Sequence, residues 1–171
     1  MSLGSSPYYP RGVFRNLVLL AAWHSALLWA DPIDQAFQRL YNFDFSGAHA
    51  LVDGHVAAQP EDPMGYSVRA AIDLFYELDR LGILEAEFFA DDRRIADDKK
   101  KLKPDATVRA RFYGAVETAQ SKARSVLTGR PQDLNAFHAL CMSQGVQVDY
   151  TALIEKRQLA SLSLAKRSNA C

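Results

Sequence analysis

His55 is the residue of this chain whose type best suits it for chemistry. It interrupts the apolar stripe Ala48, Leu51, Val52, His55, Val56. An imidazole there can act as a general base, ligate a metal or fill a satisfied core position. A helical zinc pair needs histidines at i and i+4. His49 and His55 are six residues apart and do not share a helix face. His138 has Cys141 three residues on and no other Cys or His at metal spacing. The acidic set Glu85, Glu87, Asp91, Asp92, Asp97 and Asp98 lacks the alternating acidic loop and central glycine of a calcium site. Arg93, Arg94, Lys99, Lys100 and Lys101 run through it and offset its charge, so a solvated face accounts for it. Nothing nominates a carboxylate pair for glycoside chemistry. No Gly-x-Ser-x-Gly, phosphate-cradling glycine loop or His-Glu-x-x-His occurs. The residues therefore lead to an expectation of no catalysis, no cofactor and no metal.

The totals are those of one ordinary globular domain. Of 171 residues, 49% are hydrophobic and 23% charged, with Lys+Arg and Asp+Glu at 20 each. With no basic excess, nucleic acid is not an expected partner. Two cysteines are no disulfide framework, and Cys141 reads as a small buried apolar residue.

Residues 1–30 read as a leader. Arg11 and Arg15 precede the apolar run LVLLAAWHSALLWA at 17–30, followed by Asp31 and Pro32. A positive start, a short apolar core and a small residue before a helix match a secretory signal peptide. The competing reading is a buried first helix. The run is shorter than the roughly 20 apolar residues of a membrane span, so no span is expected in the mature chain.

Aspartate and proline punctuate the rest. Asp31-Pro32 and Asp62-Pro63 each pair an N-cap with a proline suited to the first helical turn. They start helices over 32–41, with Ile33, Ala36, Phe37 and Leu40 inward, and over 63–81, which ends at Gly82. Between them a helix over 47–59 takes Ser46 as its cap. The 63–81 helix is apolar on two sides, with Val68, Ile72 and Phe75 in one row and Ala70, Leu74, Leu78 and Leu81 in the other. Such a helix packs between neighbours. Residues 83–103 read as an irregular charged segment. Pro104-Asp105 opens a long helix over 106–127, the most periodic part of the chain. Asp133 caps a helix that presents Leu134, Phe137, Leu140 and Cys141 and ends or bends at Gly145. Asp149 caps a last helix with Tyr150, Leu153, Ile154, Ala160 and Leu164 inward. No strand alternation occurs, and the fold class is all-α.

Read backward from Pro60, Ala48 and Val52 fall at a small and a large position of a repeat, with Asp44 and Phe45 in the turn before them. His55 falls where a second small residue belongs. Read from Pro131, 71 residues on, Ala119, Ala123 and Val126 take matching positions. Phe137, Leu140, Cys141 and Asp149-Tyr150 follow in phase. The chain over 31–168 thus resembles tetratricopeptide repeats, 34-residue helix–turn–helix units that stack into a solenoid, and is similar to bacterial exported proteins of that type. The resemblance implies stacked antiparallel hairpins and a concave groove that binds a protein or peptide. In the family's geometry Tyr66, Arg69, Asp73, Asn135 and His138 point into that groove. It also implies a polar terminal helix that the sequence does not supply. The expectation is either truncation at the C-terminus or self-association through the last helix. Two other readings remain: an all-α hydrolase or metal-dependent enzyme with its site in the groove, and a structural piece of a longer solenoid.

Overall fold

A computed structural model describes residues 31–84 and 103–167. The signal-peptide reading of 17–30 and most of the charged segment over 83–103 lie outside the described residues. Every described helix belongs to the unit Pro32–Cys171. Helices α1 (Pro32–Tyr41) and α2 (Phe45–Ala58) are followed by α3 (Pro63–Arg80) and α4 (Ala106–Gly129). Then come α5 (Leu134–Asp149), a π-helical turn (Tyr150–Ile154) and α6 (Gln158–Arg167). No strand occurs among the described residues.

The aspartates set the helix starts. Asp62 accepts from Met64 N–H at 3.0 Å, Asp105 from Thr107 and Val108 at 2.8 and 2.9 Å, and Asp133 from Ala136 at 2.9 Å. The cap of α2 is Asp44, not Ser46: its carboxylate accepts from Gly47 N–H at 2.9 Å and from the Ser46 hydroxyl at 3.2 Å. The carboxylate outcompetes the hydroxyl as an acceptor for free amides. Gly82 ends α3 at φ +67°, where its N–H reaches Asp79 O and Ile83 N–H reaches Leu78 O. This pair of bonds closes the helix end, and Ile83 and Leu78 bury together beside it.

The carboxylates of Asp44, Asp62 and Asp105 all sit below the usual aspartate range. Backbone N–H donors hold down Asp44 (Gly47) and Asp105 (Val108, Thr107). At Asp62 burial pushes up, and bonds from His55, Met64 and Asn135 outweigh it. A lowered folded pKa stabilises above the unfolded value of 3.8 and is lost as pH falls through the folded value. Urea midpoints should therefore decline steadily as pH drops below about 4. Asp62→Asn, which still caps but cannot titrate, should make that decline shallower, by an amount of about 1 kcal/mol at most.

α3 is the central helix. It packs on α1, α2, α4 and α5. Its two apolar rows enter two clusters. Val68 and Ile72 join Ile33, Ala36, Leu40, Ala48 and Val52; Ala70, Leu74 and Leu78 join Ile83, Phe112, Ala115, Val116, Tyr150 and Ile154.

α5 meets α3 through an unexpected face. Ala136, Ala139 and Ser143 are buried, whereas Leu134 is 69% and Phe137 37% exposed. Small side chains let the two helices approach closely enough for the buried Ser67 hydroxyl to donate to Ala139 O at 2.8 Å. Leu134 or Phe137 in that seam would force the helices apart. Three other expectations fail here. α5 runs unbroken through Gly145, and Asp149 is its last residue, with no side-chain cap bond to the π turn. Cys141 is half-buried and disulfide-bonded, not a free apolar thiol. The chain's other cysteine, Cys171, lies outside the described residues.

Candidate binding cleft

His55 is packed and bonded. Its Nε2 lies 2.6 Å from Asp62 Oδ2, and the residue is 7% exposed. Asp62 Oδ1 also accepts from Asn135 Nδ2 at 2.7 Å, which ties α2, α3 and α5 at one corner. Gly65 makes room for the imidazole, since a Cβ there would stand 2.9 Å from His55 Cδ2 and Val56 Cγ2. An imidazole enclosed in this way is scaffold.

Four of the five residues expected in a groove are engaged within the fold. Tyr66, Arg69 and Asp73 lie along α3, and each is engaged. Tyr66 donates to Pro60 O at 3.1 Å, and Arg69 and Lys122 each stand 5.7 Å from its ring. Arg69 pairs with Asp53 at 2.5 Å. Asp73 is fully buried and therefore cannot face a partner. Arg111 Nε donates to both of its oxygens, at 2.8 and 3.0 Å, and its Nη2 adds a further bond. His49 Nε2 is 3.1 Å away but lacks hydrogen-bond geometry, so Arg111 is the partner that counts. Asn135 is spent on Asp62, and His138 is exposed beside Phe137 with ring centroids 6.2 Å apart.

The open space lies on the other side of α4. Two clefts, of about 500 and 530 Å³, share Tyr113 and Gln147. α4 supplies Arg109, Ala110 and Tyr113 to the first, and Val116, Glu117, Gln120, Ser121 and Arg124 to the second. These positions follow one helical stripe, adjoining the buried stripe that holds Phe112 and Ala119. Thr151, Arg157 and the α6 residues Ala160, Ser163 and Leu164 close the first cleft.

The π turn builds the wall of the first cleft. Glu155 N–H bonds Tyr150 O at 3.1 Å, five residues back, and Lys156 then leaves the helix at φ +56°. π turns in helices are frequent at functional sites. Here the turn buries Tyr150 and Ile154 and leaves Thr151 beside the cleft. Thr151 Oγ1 donates to Gln147 O at 2.8 Å and lies 3.5 Å from the Tyr113 hydroxyl. Glu155, with a side chain only 7% exposed, accepts from Arg109 Nε at 2.7 Å and pairs with Arg157 at 3.5 Å. Arg109 also lies over the Tyr113 ring, 4.8 Å from its centroid. Gln120 Nε2 donates to Gln147 Oε1 at 3.0 Å where the two clefts meet. Burial pushes the Tyr113 hydroxyl up, so it stays protonated and remains a donor at neutral pH.

Tyr150 is the buried counterpart of this wall. Its ring stacks on Phe112 at 4.2 Å, and burial, helped by Glu77 and Glu155, pushes its hydroxyl up. That hydroxyl has no hydrogen-bond partner among the described residues. Tyr150→Phe should therefore stabilise the protein by about 1 kcal/mol in urea denaturation. A loss of similar size would mean that the hydroxyl is bonded, through water, in the folded protein.

Sequence reasoning missed this cleft. The stripe from Arg109 to Arg124 was visible as the polar margin of the 106–127 helix, but nothing local marked it as open. No known protein family, no curated protein and no solved structure matches the chain.

Proposed function

We propose that this chain is a protein- or peptide-binding helical module without catalytic activity, and that its ligand lies along α4 across Tyr113 and Gln147. The observation that carries the reading is the pair of adjoining clefts meeting at the Gln120–Gln147 bond. Two amides bonded to each other can exchange that bond for the N–H and C=O of an extended backbone at little cost. From Arg109 to Arg124 the helix rises roughly 22 Å, room for about six or seven extended residues. Along the lining Arg109, Arg124 and Arg157 face the single acidic residue Glu117, and Glu155, which pairs with Arg109 and Arg157, does not line either cleft; the balance favours a segment carrying a carboxylate.

The order of contacts supports a tetratricopeptide-like stack. Each helix packs on the next, and α1–α3 and α3–α5 pack as next-but-one neighbours, as first helices of successive hairpins do. The disulfide at Cys141 supports export, because such bonds persist in oxidising compartments. No described helix is long and apolar enough to cross a membrane. Leu159 and Leu162, 82% and 66% exposed on α6, favour self-association as a second mode of binding.

Selection from a random peptide library on the oxidised protein tests the reading. Binders should compete with one another and lose at least tenfold in affinity, about 1.4 kcal/mol, on Gln147→Ala or Tyr113→Ala. Binders indifferent to both variants, or none at all, would reject the cleft as the site. A metal content or hydrolytic turnover that those variants abolish would favour the enzyme reading instead.

A further inference from the structure

Glu155 touches both charged side chains of the first cleft without lining it. Among the described residues, the charged groups lining that cleft are Arg109 and Arg157. Arg109 Nε donates to Glu155 Oε1 at 2.7 Å, and Arg157 Nη1 stands 3.5 Å from Oε2. The Glu155 side chain is only 7% exposed, whereas those of the two arginines are 48% and 64% exposed. Oε2 is buried without a hydrogen bond among the described residues, so the carboxylate acts on Arg157 through charge alone. Arg109 is fixed further by the Tyr113 ring, and Arg157 N–H donates to Thr151 O at 3.0 Å, which sets its backbone at the π turn. The Nη groups of Arg109 and the whole guanidinium of Arg157 make no hydrogen bond among the described residues. Thr151 gives its proton to Gln147 O, so it can only accept in its 3.5 Å contact with the Tyr113 hydroxyl. A contact that long is weak, and Tyr113 can redirect its proton to a ligand.

One buried carboxylate against two arginines leaves one positive charge facing the cleft. A carboxylate ligand balances that charge and matches the planar fork of a guanidinium. A dianion would set a surplus negative charge near Glu155, which is too enclosed for solvent to screen well. We propose that Glu155 is the specificity-determining residue of this cleft: it positions Arg109 and Arg157 and selects a carboxylate over a doubly charged phosphate. The inference rests on the reading of the cleft as a binding site, and it narrows the class of segment bound. Aspartate or glutamate side chains enter between the two arginines, and phosphorylated ones are rejected.

Nuclear magnetic resonance of the arginine Nε–H groups tests this on the full chain, with acetate and sulfate as probes at matched ionic strength. At about pH 6 acetate is ionised, and sulfate carries two charges as a bound phosphate would. The Arg109 and Arg157 signals should shift together, and acetate should bind at least about fivefold more tightly than sulfate. Glu155→Gln should reverse that order, and Glu155→Asp, which keeps the charge, should preserve it. Arg157→Ala, at an exposed position that the fold does not need, should weaken acetate by at least about fivefold. Sulfate preferred by the unaltered protein, an order unmoved by Glu155→Gln, or acetate binding indifferent to Arg157→Ala would each overturn the assignment. Selective acetate binding with no binder from the peptide library would uphold Glu155 and reject only the bound segment. Library binders on a protein without that selectivity would uphold the segment and reject the role of Glu155.

Discussion

Replacing Arg111 by alanine should lower the unfolding free energy by about 3 kcal/mol, the lower end of the range for stranding a buried charge. Asp73 is 0% exposed, and Arg111 supplies all its geometrically sound hydrogen bonds among the described residues. Without Arg111 the carboxylate loses its counter-charge but stays inside, because α3 is covered by four neighbouring helices. The guanidinium is 44% exposed, which screens the pair and keeps the effect from the upper end. Asp73→Asn combined with Arg111→Ala removes the stranded charge. That double variant should recover most of the loss, since absence of both ions is far cheaper than absence of one. Urea midpoints at pH 7, with unchanged slopes, are the measurement. If the double variant is as unstable as Arg111→Ala, packing by the arginine stem and not charge is the cause.

Phe112→Ala should cost about 3–5 kcal/mol, the usual range for emptying a large core position. A domain of this size has only about 5–15 kcal/mol to lose. Phe112 is fully buried, stacked on Tyr150 at 4.2 Å and edge-on to Tyr113 at 5.1 Å. Its ring joins α4 to the π turn and backs the wall of the cleft. The cavity should stay apolar and only partly collapse, because α3 and the turn constrain both sides. Near-UV circular dichroism should weaken along with stability, as Tyr113 and Tyr150 lose their fixed neighbour. A cost under about 1 kcal/mol would mean that this part of the core is loosely packed. Phe112→Leu, which keeps most of the volume, should cost less than half as much as alanine.

The two residues differ in how far the sequence alone reveals their weight. Phe112 stands out on the apolar stripe Val108, Phe112, Ala115, Val116, Ala119, Ala123, Val126 and Leu127 of the 106–127 helix, and the first six of these are buried. Periodicity is a local signal, and a long helix repeats it often enough to be read. Arg111, next to it, looks like an ordinary polar-face arginine. Its partner lies 38 residues away, and no local pattern couples the two. Asp73 was expected in a groove only through the geometry of the repeat family that the chain resembles; here α4 packs against α3 and Asp73 is buried on Arg111.

The chain by itself determined the starts of α3, α4 and α5 and that α3 and α4 pack on apolar stripes. Asp62, Asp105 and Asp133 act within three residues, and α3 declares two buried faces through side chains on its own turn-by-turn repeat. Tertiary structure decided what local patterns leave open. α5 turned Ala136 and Ala139 inward, not Leu134 and Phe137, because close approach to α3 outweighs the burial of larger side chains. The expected break at Asp149 became a π turn, since Tyr150 and Ile154 are drawn into the core that Phe112 and Leu74 complete. His55 was uncertain between ligand and scaffold until Asp62 and Gly65 enclosed it. The cleft over Tyr113 exists only where α4, α5, the turn and α6 meet, and a meeting of four segments has no signature in any one of them.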